Sequence, residues 1–366
     1  MTKNFSVALI DILTKINLDG STVITRGNEQ KEILSHLMKI DNSQDRVITL
    51  PSRNNNIFAL ISETLWVLGG KDDMDYLSHY LPRATDFSDN GKTWRAAYGP
   101  RLRNWYGVDQ FKEIARLILE DQNTKRAVMV IYDPLKDYVD TKDVPCNNWI
   151  HFIARNGKLH MNVTIRANDA IWGFGGINSF EWSVLHEMMA YWTNLEIGTL
   201  SWYTGTIHIY ERHYNVSQKI LDNFCGKTLY DFQITSPKFT TALSDFDNLL
   251  QYCFAIEKEM RDPATILDCY EKISVINDDF LKNSMLMLFA YNLFLQEASE
   301  EKIKSVIENL DTNDFKIAAI EYFSRRFKNR DLFSLKSSEK EFFDYFWKGI
   351  NVNTNDKKKL SFISSI

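Results

Sequence analysis

The stretch IRANDAIWGFGGINSFEW, residues 165–182, decides how this chain is read. A β-run, KLHMNVTIRA (158–167), leads into it, and a strongly apolar helical pattern, predicted over Phe180–Leu195, leads out. Between them Arg166, Asn168, Asp169 and Asn178 are interleaved with glycines and with the rings of Trp172 and Phe174. Amide side chains match the donor and acceptor edge of a heterocycle, rings make a stacking wall, and glycine lets backbone approach closely. The segment therefore reads as one wall of a pocket at a strand-to-helix junction, although a bland loop can also hold glycines.

Working outward, AVMVIYDP (127–134), WIHFIAR (149–155) and TGTIHIYERHY (204–214) are further β-rich runs, with a turn at Asn156-Gly157. Apolar residues at helical spacing predict helices over Phe5–Ile16, Ile57–Leu68 and Val108–Glu120. STVITRG and RVITLPSR read as strands or extended chain, and residues 79–105, rich in Asp, Asn, Gly and Trp, as a long functional loop. Strands in runs with a few long helices suggest α+β architecture. After about residue 235 only helical patterns follow: Asp245–Met260, Ala264–Ile273, Phe280–Ala298, Glu301–Leu310, Phe315–Phe327 and Glu339–Ile350, then a polar, basic tail, 353–366, ending SFISSI. The expected division is a catalytic part, 1–235, and a helical extension, 236–366.

With 44% hydrophobic residues in 366, the chain can fill a large core, and a net charge of −5 argues against coating nucleic acid by bulk electrostatics. Cys146, Cys225, Cys253 and Cys269 lie far apart without CxxC pairs, so they read as reduced thiols and offer no metal-site spacing. The first residues lack a signal-peptide pattern, and the longest apolar run, around Ser284–Leu295, contains Asn292 and is too short to cross a bilayer. The expectation is a cytoplasmic protein with no metal, membrane or nucleic-acid partner.

Cys146 follows a proline in VPCNNW and enters a β-run. A lone cysteine is more often buried and inert; Arg26, Lys125, Arg126 and Arg166 change the odds. Positive charge lowers a thiol's pKa and binds phosphate, which suggests a nucleophile attacking a phosphorylated substrate. Isolated arginines are usually solvated surface charges. Glu63, inside the apolar IFALISETLWVL, is either a helix-surface glutamate or a carboxyl whose burial raises its pKa for proton transfer. His208 and Tyr210 share one side of a strand, facing either ligand or core.

Taken in order, Glu63 in ETLWVL, Tyr98-Gly99 with Trp105, Lys125-Arg126 before a strand, Pro145-Cys146, Arg166 with Asp169, Asn178, and His208 with Tyr210 resemble the thymidylate synthase and pyrimidine-nucleotide hydroxymethylase family, over roughly residues 20–215. The resemblance implies a thymidylate synthase-like fold with mixed sheet and long helices. It implies that Cys146 adds to C6 of a pyrimidine 5′-monophosphate and that C5 then takes the methylene of 5,10-methylenetetrahydrofolate. Glu63 would organise water and protons, and Tyr98 would position the thiol. Asp169 would hold the pterin beside Trp172 and Gly173. Arg26 and Arg166 would bind the phosphate, with Lys125 and Arg126 reaching it from the partner of a homodimer. Asn178 would read the base, with Asn168 sharing the reading of an amino group and Ala167 beside the phosphate, and His208 with Tyr210 would hold the sugar.

Departures within the motifs point to one branch. Asn147 stands where synthases usually carry His, and Arg166-Ala167-Asn168-Asp169 resembles deoxycytidylate hydroxymethylases. A loose alignment through TDFSDNGKTW puts Ala84 where a tryptophan shields the C5 methylene from water. Ala167 and Lys125 would make room near a ribose. The expectation is 5-hydroxymethylation of CMP or dCMP, closest to cytidylate hydroxymethylases of the mildiomycin and bacimethrin type. Asn178 opposes this, since an amide there suits uracil. The alternatives are a thymidylate synthase acting on dUMP and, from another class, a catalytically idle nucleotide-binding homologue.

Overall fold

The computed structural model describes residues 1–363, with side chains described to residue 350; the tail 353–366 thus lies outside what is described in atomic detail. The chain is α+β, built on one six-stranded sheet of order β1-β2-β6-β5-β4-β3. The strands are β1 (Ser21–Thr25), β2 (Asn28–Ile40), β3 (Val128–Val130), β4 (Asn147–Arg155), β5 (Lys158–Asp169) and β6 (Glu196–Tyr210). Only β5 and β6 run parallel, joined by a helical crossover; every other pairing is antiparallel. Arg26 and Gly27, both at positive φ, make the tight β1-β2 turn.

The helices of the first 235 residues are α1 (Phe5–Asp19), α2 (Ile57–Leu68), α3 (Met74–Tyr80), α4 (Tyr98–Arg103), α5 (Gln110–Glu120), α6 (Pro134–Asp137), α7 (Asn178–Trp192) and α8 (Tyr214–Asn223). Asn4 caps α1 and Asn56 caps α2, each accepting a hydrogen bond from a backbone amide three residues on. One face of the sheet is buried against α1 and α7, where Trp202 meets Phe5 and Phe174 edge-on. The other face is half open. Leu37, Tyr203, Thr164, Trp149 and Val130 are successive cross-strand neighbours, so one row across five strands presents Leu37, Tyr203, Trp149 and Val130 outward.

Beyond residue 235 come α9 (Leu243–Met260), α10 (Cys269–Ser274), α11 (Asp279–Leu295), α12 (Glu300–Glu308), α13 (Asp314–Arg326) and α14 (Ser337–Ile363), with no strand among the described residues. Helices α11 and α13 cover the back of α2: Phe58 stacks on Tyr291 at 4.7 Å and meets Tyr322 and Phe323. Two local expectations fail. Residues 79–105 are not one loop, because α3 runs to Tyr80, Pro82–Phe87 winds into a helical turn and α4 starts at Tyr98. RVITLPSR forms no strand and closes in a turn at residues 51–53, with Ser52 at positive φ, while the charged NEQKEILSHLMKI makes the long strand β2, its pairing with β6 outweighing its polar composition.

Candidate active site

Cys146 immediately precedes β4 and lines a cleft with Tyr98, Asp143, Asn168, Asp169 and Asn178. The register explains the convergence. The amide of Arg166 donates to the carbonyl of Cys146, and Asp169 at the end of β5 pairs with His208 on β6, so three strand ends meet there. Asp169 then caps a π-helix, Ala170–Ile177, its Oδ1 accepting from the amides of Ile171 at 2.7 Å and Trp172 at 3.3 Å. Arg53, buried beneath, donates to the carbonyls of Ile171 and Gly175 and lies 5.0 Å from the Trp172 ring. The π-turn leads directly into α7 at Asn178.

The Arg166 guanidinium donates to the carbonyls of Val144 and Pro145 and comes within 3.8 Å of the thiol sulfur. The expectation that arginines hold this thiol low is overturned. Burial pushes it up to about 11, with Asp143 and Asp169 adding to the rise against Arg166 and Arg26. Cys146 rests as a thiol, and Arg166 is placed to steady sulfur charge as it develops. Tyr98 faces Cys146, the Asn147 backbone amide and Glu181, and burial raises its hydroxyl far above the ordinary range. Glu63 is half-buried on α2; burial first, then Asp143, raises its carboxyl to about 8.

Asn168 Nδ2 donates to Asn178 Oδ1 at 3.0 Å, and Gly173 leaves room for this, since a Cβ there would stand 2.5 Å from Asn168 Nδ2. His208 is buried with Nδ1 unpartnered, its ring 5.0 Å from Tyr210, which lies in the field of Asp169, Cys146 and Arg26. Thus Cys146, Tyr98, Ala167, Asn168, Asp169, Trp172, Gly173 and Asn178 line the cleft. Arg166 adjoins it at the Cys146 sulfur and His208 stands against Tyr210, while Glu63, Arg26 and Tyr210 act on it through the fields they share with Asp143, Cys146 and Asp169. Lys125 and Arg126 precede β3 and are not among the lining residues.

Ala84 does not line the cleft either. It is buried inside the Pro82–Phe87 turn, and the wall is aromatic there: Phe87 stacks on Trp94 at 5.5 Å, and Trp94 Nε1 donates to Asp143 Oδ2. The missing-shield expectation falls with it. Sequence reasoning also passed over Asp143, hidden in the polar DYVDTKD, and Glu181, although Glu181 carries the same signal as Glu63, a charge inside an apolar helix.

The donor set suits a folate. Trp172 is 47% exposed beside Asp169, whose Oδ2 is left free by the cap, offering a plate and an acceptor to a flat heterocycle with amino groups. Residues 8–254 match the family described as Thymidylate synthase. Among relatives, a deoxyuridylate hydroxymethyltransferase of Bacillus phage SP01 is 30% identical over 350 residues, 87% of this chain and 91% of the phage protein. A deoxyuridylate hydroxymethyltransferase of Delftia phage PhiW-14 is 29% identical, covering 75% and 81%. A thymidylate synthase of Buchnera aphidicola is 25% identical, covering 57% and 81%.

Proposed function

This chain belongs to the thymidylate synthase family and is a one-carbon transferase acting at C5 of a pyrimidine nucleotide, and we propose that its reaction is 5-hydroxymethylation of deoxyuridylate. The observation that carries the base is Asn178. Its Oδ1 is fixed as an acceptor by Asn168 Nδ2, and its amide end faces Glu181. That orientation offers an acceptor to a uracil N3–H and a donor to O4, whereas cytosine needs the reverse. The product and the deoxyribose are supported by the relatives: hydroxymethyltransferase similarity spans 87% of the chain, against 57% for the Buchnera synthase.

Cys146 adds to C6, its proton leaving the thiol as Arg166 steadies the sulfur, which makes C5 nucleophilic. The family's cosubstrate, methylenetetrahydrofolate, supplies a one-carbon unit that leaves tetrahydrofolate behind if water completes the reaction, or dihydrofolate if hydride does. Asp169 and Trp172 would hold it. Arg26 and Arg166 would bind the phosphate, and His208 and Tyr210 the sugar hydroxyl. Glu63 would hold the proton at the base edge, Tyr98 orienting the thiol. The apolar row Leu37, Tyr203, Trp149 and Val130 supports a homodimer, in which Lys125 and Arg126 would complete the partner's phosphate site.

A cytidylate substrate keeps one observation in its favour. Asn168 Oδ1 is buried without a partner and would accept from a 4-amino group. Release of tritium from C5-labelled dUMP, dCMP and CMP, with wild type and Asn168→Gly, separates the two. The deoxyuridylate assignment predicts fastest release from dUMP, with Asn168→Gly slowing it. Preference for dCMP or CMP, lost selectively in Asn168→Gly, would establish the cytidine alternative instead.

A further inference from the structure

The Trp172 indole is 47% exposed at the rim of the cleft, and a ring so placed keeps rotamer freedom that a ligand must remove on binding. Two neighbours remove it beforehand. Arg53 lies over the ring at 5.0 Å, and Trp172 Nε1 donates to His213 Nε2 at 3.2 Å, the two rings meeting edge-on with centroids 6.3 Å apart. His213 ends the turn Glu211–His213 that follows β6 and leads into α8, so it reaches the π-helix from a different part of the chain.

Arg212 Nε also donates to His213 Nε2, at 3.2 Å, while its guanidinium lies 4.2 Å from the centre of the Tyr210 ring. Indole and guanidinium N–H groups only donate. The two hydrogen bonds therefore assign a lone pair to Nε2 and the ring proton to Nδ1, which is the neutral imidazole. Partial burial comes first in holding His213 below the ordinary histidine range; Arg212 on its own turn, Arg53 before α2 and Arg83 in the Pro82–Phe87 turn add to this, against Asp169 at the end of β5. His208 is the other imidazole in the field of Asp169 and Arg212.

We propose that His213 is a positioning residue for the cosubstrate: while neutral, its Nε2 latches the edge of Trp172 and sets the indole as a fixed plate for the folate ring, and on protonation it lets go. The proposal rests on the reading of Trp172 and Asp169 as the folate holders. A proton on Nε2 replaces the acceptor with a third donor aimed at two others, so the latch is shut at neutral and alkaline pH and open at acid pH. The quantity it governs is folate binding, not the bond changes at C5.

The test is tritium release from whichever of C5-labelled dUMP, dCMP and CMP reacts fastest, a signal that does not depend on whether the product is hydroxymethylated or methylated. KM for methylenetetrahydrofolate, KM for the nucleotide and kcat are measured across pH in wild type, His213→Leu, His213→Gln and Trp172→Ala. At about pH 8, His213→Leu should raise the folate KM roughly three- to tenfold, with nucleotide KM and kcat changed less than about twofold. Wild type should match it at that pH only after acidification, its folate KM climbing toward the His213→Leu value as pH falls. His213→Gln, whose amide oxygen still accepts but does not titrate, should hold a low folate KM throughout. A wild-type folate KM in His213→Leu, or equal losses in both KM values, overturns the latch. An acid rise that persists in His213→Gln assigns the titration to His208 or Asp169 and overturns the protonation step. Trp172→Ala with an unaltered folate KM overturns the folate reading beneath the proposal; failure of the latch alone differs, because Trp172→Ala then raises the folate KM and His213→Leu does not.

Discussion

At the residue scale the decisive balance lies at Cys146, where burial and two carboxylates outweigh two arginines. A thiol raised to about 11 is protonated at neutral pH, so its reactivity should climb as pH rises rather than level off early. In the free enzyme, the iodoacetamide inactivation rate protected by nucleotide is predicted to increase through pH 9 and beyond. A plateau near pH 7 would mean that Arg166 and Arg26 win instead. Chain order alone exposed the participants here, because Cys146, Arg166 and Asp169 belong to contiguous motifs. The sign of the thiol's shift was not legible, since it depends on how much water the fold excludes. Likewise Ala84 was matched by counting along a loop, whereas a helical turn buries it and brings Phe87 onto Trp94.

At the element scale the π-helix Ala170–Ile177 sets where Asp169, Trp172 and Asn178 stand relative to one another. Arg53 braces it from the segment before α2, with two carbonyls as acceptors and the Trp172 ring above. Arg53→Ala strands those carbonyls, so it should destabilise the protein by about 2 kcal/mol and raise the folate KM more than the nucleotide KM. Urea unfolding and steady-state kinetics check both; equal KM effects would detach the brace from the Trp172 side. Strands and helices with clean periodicity, such as α2 at Ile57–Leu68, were readable in outline, because an apolar run capped by Asn56 specifies its own ends. Strand β2 was not, since Asn28–Ile40 is polar and owes its form to pairing with β6. Arg53 gave no signal at all, being one arginine among many until the fold buried it.

At the scale of the whole molecule we propose the division into a catalytic part, 1–235, and a helical extension, 236–366, with the extension acting as a buttress. Helices α11 and α13 press aromatic side chains on the face of α2 opposite the cleft, and Glu63 rides on α2. The similarity to the phage SP01 enzyme spans 87% of the chain, so most of the extension travels with that relative. Tyr322→Ala removes a buried ring against Phe58 and should cost about 3 kcal/mol in denaturant stability, with kcat falling more than nucleotide affinity. A stable variant with unaltered kcat would separate the extension from the chemistry. The helical character of residues 236–366 was plain in the sequence; what they lean on was not, because packing partners far apart in the chain leave no local pattern.

In the proposed reaction water, not hydride, completes transfer to C5 of deoxyuridylate. It is tested most directly by incubating the enzyme with methylenetetrahydrofolate and dUMP, weighing the nucleotide product and following dihydrofolate absorbance in the same reaction. The expected product is a 5-hydroxymethyl nucleotide, with oxygen-18 from labelled water in the new hydroxyl, and no dihydrofolate. A 5-methyl nucleotide formed in step with dihydrofolate would contradict it.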